Sequence, residues 1–218
     1  MVSDPRSKIV SRPLLLIWCA WLLVSWALNV DMDMPAQVTR ESMIPLVRGM
    51  ILSTLLGLML MWPAWRLSRR TMVAAGAAVA GDMFSLLLVL QVVVWPLRLL
   101  VGWSMARAFV IDVTLIAWTI PIGLWVYLGL RSRGRVGRAW AMLACCATPA
   151  AAAVWALIAD RPDAVDFSPM HMLWVLADPT VIMDLARPVF QAMIVSGAAM
   201  AAWVILARLT GVAAGHGR

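Results

Sequence analysis

Charge is what this sequence has least of. Only 13% of its 218 residues are Asp, Glu, Lys or Arg, and 63% are hydrophobic. Soluble domains carry about 25% charged residues. A water-facing surface cannot be assembled from so few, so lipid must solvate most of the chain. Histidine is also scarce, with only His171 and His216. Neither lies in a membrane-length apolar run, which excludes bis-histidine haem within a bilayer. The three cysteines, Cys19, Cys145 and Cys146, all sit in apolar runs without CxxC or Cys/His spacing. They read as small packing residues. A glycine-rich phosphate loop, an HExxH and a Ser/His/Asp set are all missing. The expectation is a protein that is not an enzyme and holds no cofactor.

The net charge of +7 would suggest nucleic acid in a soluble protein. Here the cations stand in short connections between apolar runs, which is the positive-inside pattern. Counterion release along a phosphate backbone needs a continuous basic face, so no nucleic-acid partner is expected.

Six runs reach the 17 to 25 or so apolar residues that cross a bilayer: Pro13–Val30, Met43–Trp65, Met72–Trp95, Ala108–Leu130, Ala139–Ala159 and Arg187–Leu209. The fold class is all-α, a polytopic membrane protein forming one membrane domain over residues 1–218. Arg6, Lys8 and Arg12 before the first run resemble a signal-peptide n-region. No small-x-small cleavage site follows, so the segment reads as a retained first helix. Pro96 is expected to end the third run, leaving Trp95–Arg107 as an interfacial or re-entrant segment. Small residues such as Ala77 and Gly81 predict close helix approach on the third run. Twelve of the eighteen Lys and Arg fall at the N-terminus, after the second and fourth runs, and at the C-terminus. Most acids fall on the alternate side. Both termini are therefore expected inside, in the cytoplasmic membrane.

The charges within the runs are the candidate site. Asp82 lies about ten residues from either end of the third run, near the midplane by helix rise, with no evident partner at its depth. Arg48, Gln91, Asp112 and Gln191 fall in one layer nearer the acidic side. An Arg48–Asp112 ion pair is the first pairing to expect, because intramembrane charges are expensive and usually paired. One reading is a polar vestibule leading down to Asp82, as in a small permease or the membrane subunit of a transport complex, with other membrane subunits or a separate ATPase as partners. The other is a set of structural contacts that lock helices in an assembly subunit. An intramembrane aspartyl protease does not fit. Its GxGD-type context is missing from Val79-Ala-Gly-Asp82, and the two aspartates differ in depth by about 10 Å.

Two methionine motifs, Asp31-Met-Asp-Met34 and Met170-His171-Met172, have the soft donors that suit Cu(I). With sixteen methionines in the chain, chance pairs are frequent, and Met172–Leu176 also reads as an interfacial apolar patch. The run Arg131–Arg138 is a stop-transfer cluster or a contact for anionic headgroups. A three-plus-three inverted repeat finds no residue-level match.

Overall fold

The structure, a computed structural model, describes residues 12–32, 39–69, 75–132, 134–158 and 167–215. In hydrocarbon every backbone N–H and C=O must find a partner within its own segment, and the runs accordingly fold as helices. In chain order these are α1 (Arg12–Met32), α2 (Ile44–Leu56), α3 (Trp62–Ser68), α4 (Ala75–Val101), α5 (Met105–Arg131), α6 (Arg135–Ile158), α7 (Pro169–Leu176) and α8 (Ala186–Gly215). No strand occurs among the described residues. Five helical stretches are long and apolar enough to cross a membrane: α1, the continuous path from Glu41 to Ser68, α4, α5 and α8. The path containing α2 and α3 includes a five-residue π turn, Gly57–Met61.

α5 is the central helix. Most of its apolar stretch is buried, against less than a fifth of that of α8, and α4, α6 and α8 all pack on it. Glycine permits the closest approaches. A Cβ on Gly123 would stand 2.4 Å from Met83 Sδ, and one on Gly129 would stand 2.6 Å from both Ala141 Cβ and Leu67 Cδ2. Tyr127 stacks on Trp203 of α8 with ring centroids 5.5 Å apart. The expected close-packing pair on α4 is not used in that way, since Ala77 is exposed. The buried stripe of α4 is instead Val79, Asp82, Leu86, Leu90, Val94, Leu97 and Val101.

That stripe also explains why Pro96 does not end the helix. The three- and four-residue spacing continues through it to Leu97 and Val101, so the packed face is preserved. A proline removes one helical hydrogen bond, and packed neighbours make this tolerable in membrane helices. α4 therefore turns only at Gly102, whose φ of 72° suits a residue without Cβ. The amides of Gly102 and Trp103 both donate to Arg98 O, at 2.9 and 3.1 Å. Trp95–Arg107 is thus the end of α4, a tight turn and the start of α5, rather than a separate interfacial segment.

The longest loop also holds an unexpected element. α7 is a short helix over the Met170–Leu176 patch, packed on α2 and α5. Residues 33–38 and 159–166, the expected start at Met72, Arg133 and His216 lie outside the described residues, as do the side chains of Asp31 and Met32.

Candidate functional site

Asp82 is 0% exposed on α4. Its partner is Arg66, which the sequence alone marks as a flanking residue that stops the second run. Arg66 is instead 6% exposed, and its Nε lies 3.1 Å from Asp82 Oδ2. Trp62 Nε1 donates to the same oxygen over a long 3.5 Å. Among the described residues, Asp82 Oδ1 accepts no hydrogen bond, and Arg66 Nε is too poorly aligned to donate one. The contact is therefore mainly charge on charge.

The π turn sets this geometry. Trp62 N donates to Gly57 O, five residues back, and Pro63 has no N–H to continue the α ladder. One extra residue in the turn rotates the downstream helix by about 100° relative to α register. Trp62 and Arg66, four apart, then share the face that meets Asp82. α1 packs onto the same turn. Trp21 Nε1 donates to Ser53 O at 2.9 Å, Trp18 Nε1 donates to Leu86 O at 3.2 Å, and a Cβ on Gly57 would stand 2.5 Å from Trp18 Cζ3. π turns often occur at functional sites.

Asp82 lies seven residues, about 10 Å, beyond Ala75, where the described part of α4 begins. It belongs to the arginine-rich end of the bundle. The sequence did hold a signal for its partner. Arg66 and Asp82 lie near the two ends of one short connection, so they share a depth.

The expected polar layer separates into three groups. Arg48 does not meet Asp112. Its Nη2 pairs with Asp178 Oδ2 at 2.7 Å, its Nε donates to Trp174 O at 3.3 Å, and its guanidinium lies 4.6 Å from the Trp174 ring centroid. Arg107 donates to Asp178 O and, at 2.6 Å, to Val181 O. Trp103 Nε1 donates to Ala177 O at 3.1 Å. Together these contacts fasten α7 and its following turn across the ends of α2 and α5. Asp178 Oδ1 accepts from Thr180 N at 2.9 Å and from Thr180 Oγ1 at 2.6 Å. Those hydrogen bonds, with Arg48 and Arg107 beside them, hold the Asp178 carboxyl below the usual carboxylate range.

In the second group Asp112 Oδ1 accepts from Gln91 Nε2 at 2.7 Å, and Gln91 Oε1 accepts from Trp95 Nε1 at 2.8 Å. In the third, Gln191 is buried and lines a pocket of about 200 Å³ with His171, Met172, Val175, Met183, Arg187 and Pro188. The copper triplet is divided by its helix. Consecutive residues on α7 diverge by about 100°. Met172 is buried and accepts from Thr114 Oγ1 at 3.8 Å, His171 is exposed, and Met170 is not in the pocket lining. No group of three or more His, Cys, Asp or Glu suited to a metal occurs among the described residues.

Arg131 and Arg138, from the basic run, are engaged locally. Arg131 Nη1 donates to Tyr127 Oη at 2.8 Å and Arg138 Nη1 to Leu67 O at 3.4 Å. A cleft of about 650 Å³ is apolar and bounded by α1, α2 and α4. Asp82 does not line it. Comparison with known protein families, with curated sequences and with solved structures finds no match to this chain.

Proposed function

We propose that the chain is a non-enzymatic, membrane-embedded subunit of a transport complex in the cytoplasmic membrane. In this reading α6, 24 residues long, is a sixth crossing and both termini are cytoplasmic. The distribution of Arg supports that orientation. Arg66, Arg69, Arg131, Arg135 and Arg138 collect at one end of the bundle, and Asp178 and Asp184 at the other.

The observation that carries the subunit reading is the Arg66–Asp82 pair. Both side chains are buried, at 7% and 0% exposure, and neutralise each other within the chain. Meanwhile α1 and α8 leave most of their apolar surface uncovered by the rest of the protein, which is available to partner helices as well as to lipid. The 650 Å³ cleft opens among apolar side chains, so it offers an ion no polar route.

The test is reconstitution of the chain alone in liposomes, together with photo-crosslinking in cells from Met193 and Gly197 on the exposed face of α8. A subunit gives no flux above that of empty liposomes and crosslinks to one defined membrane partner. A second reading, a small permease with Asp82 as its proton site, is favoured by the unpartnered Asp82 Oδ1. Proton-dependent flux by the chain alone, abolished by Asp82→Asn at unchanged protein level, would replace the subunit reading with this one.

A further inference from the structure

The 650 Å³ cleft is lined by residues of α1 such as Leu22 and Trp26, by Met50 of α2, and by α4 residues that include Val93, Leu97 and Leu99 but not Arg98. Its size is within the roughly 300–1,000 Å³ of small-molecule pockets. Its walls are almost wholly aliphatic, and several are exposed sideways, including Val92 at 74% and Leu99 at 75%. A dry apolar furrow on a membrane helix is complementary to an alkyl chain.

The mouth of the furrow adds a second, independent feature. Leu99 and Leu100, at one end of the lining, immediately precede the Gly102–Trp103 turn that ends α4, and two guanidinium groups abut that turn. Arg98 Nε donates to Trp103 O at 3.1 Å. Arg40 rests against Gly102, its Nη1 3.2 Å from where a Cβ would stand. Neither forms an ion pair among the described residues; the ion pairs there are Arg48–Asp178 and Arg66–Asp82. Trp95, half in the open on the same last turns, is an interfacial residue type. Two cations that form no ion pair among the described residues, at the end of an alkyl-shaped furrow, match a molecule with an anionic head and an apolar tail.

We propose that this cleft is a binding site for one anionic glycerophospholipid. One acyl chain lies along Leu22, Val93 and Leu97, and the phosphate lies between Arg40 and Arg98. The cleft confers retention, and the two arginines confer preference for a net negative headgroup.

The test is native mass spectrometry of the full chain purified in detergent and titrated separately with phosphatidylglycerol and phosphatidylcholine of identical acyl chains. The expected result is one phosphatidylglycerol retained in preference to phosphatidylcholine. Arg40→Gln and Arg98→Gln should each reduce that preference about fivefold, the effect of one surface cation near an anionic lipid. Val93→Trp, which fills the cleft, should abolish retention of both lipids. Leu88→Trp, exposed on α4 but outside the lining, should leave retention unchanged. If Val93→Trp does not fold, Leu99→Trp at the mouth makes the same demand. Equal retention of the two lipids, or equal effects of tryptophan inside and outside the cleft, would mean an annular shell only and overturn the proposal.

Discussion

A buried charge is tolerable only while its partner is present. Removing one member of a buried pair leaves the other desolvated and costs about 3–5 kcal/mol, whereas replacing both with apolar residues is often neutral or stabilising. Asp82→Leu should therefore destabilise the protein by about that amount through the stranded Arg66. Asp82→Leu with Arg66→Met should recover most of the loss, as read by thermal denaturation in detergent. Recovery short of about half would show that Asp82 is held by more than Arg66 and Trp62. Asp178 makes a different prediction because it titrates at the bundle's end. Its folded pKa lies below its unfolded value, so it contributes stability above pH ~4 that is lost as pH falls through the folded pKa. Hydrogen-exchange protection over residues 169–181 should fall below pH ~4. Thr180→Val removes the main cause of the shift, so this pH-dependent loss of protection should be smaller.

At the scale of single elements, the π turn and the Gly102 turn are the points of least tolerance. Gly57→Ala places a methyl against Trp18 and Trp21, and overpacking of that kind costs about 1–3 kcal/mol. Because the turn aims Arg66, the same substitution should raise hydrogen exchange around Asp82. A Gly57→Ala protein as stable as the original would mean that the tryptophans relax freely. The apolar helices were legible in the sequence because their length is dictated by bilayer thickness. Two features were not. Pro96 looked like a stop, because a local rule gives no weight to the stripe that continues through it from Val94 to Leu97. The π turn was hidden because its cause is shared between Pro63 and the tryptophans of α1, which are distant in sequence. α7 read as an apolar patch, since eight residues are too few to announce a helix without the contacts that hold it.

At the scale of the molecule, the proposed topology makes a claim that reporters can check. With six crossings, tags at the two termini report the same side of the membrane; with five they report opposite sides. Ser104 and Ser132 flank α5. A membrane-impermeant maleimide applied from outside should label Ser104→Cys and spare Ser132→Cys. The reverse pattern would invert the orientation. Depth within each run was legible in the sequence, and the presence of polar groups in the spans with it. The partner of Arg48 was not, because depth fixes a layer and leaves the azimuth open. Arg48 had two aspartates within reach of its depth, and only the packing of α7 against α2 selects Asp178 over Asp112.

The Arg48–Asp178 contact joins residues 130 positions apart in the chain, and this has a consequence for biosynthesis. At 5–20 residues per second, roughly 7 to 26 s pass between synthesis of the arginine and of its aspartate. Arg66 meets Asp82 within the next few seconds of translation, but Arg48 has to wait in the bilayer or at its edge for most of the chain. During that interval the nascent protein carries a cation without its carboxylate partner. Products truncated before residue 178 should be cleared quickly, even though their helices are already threaded.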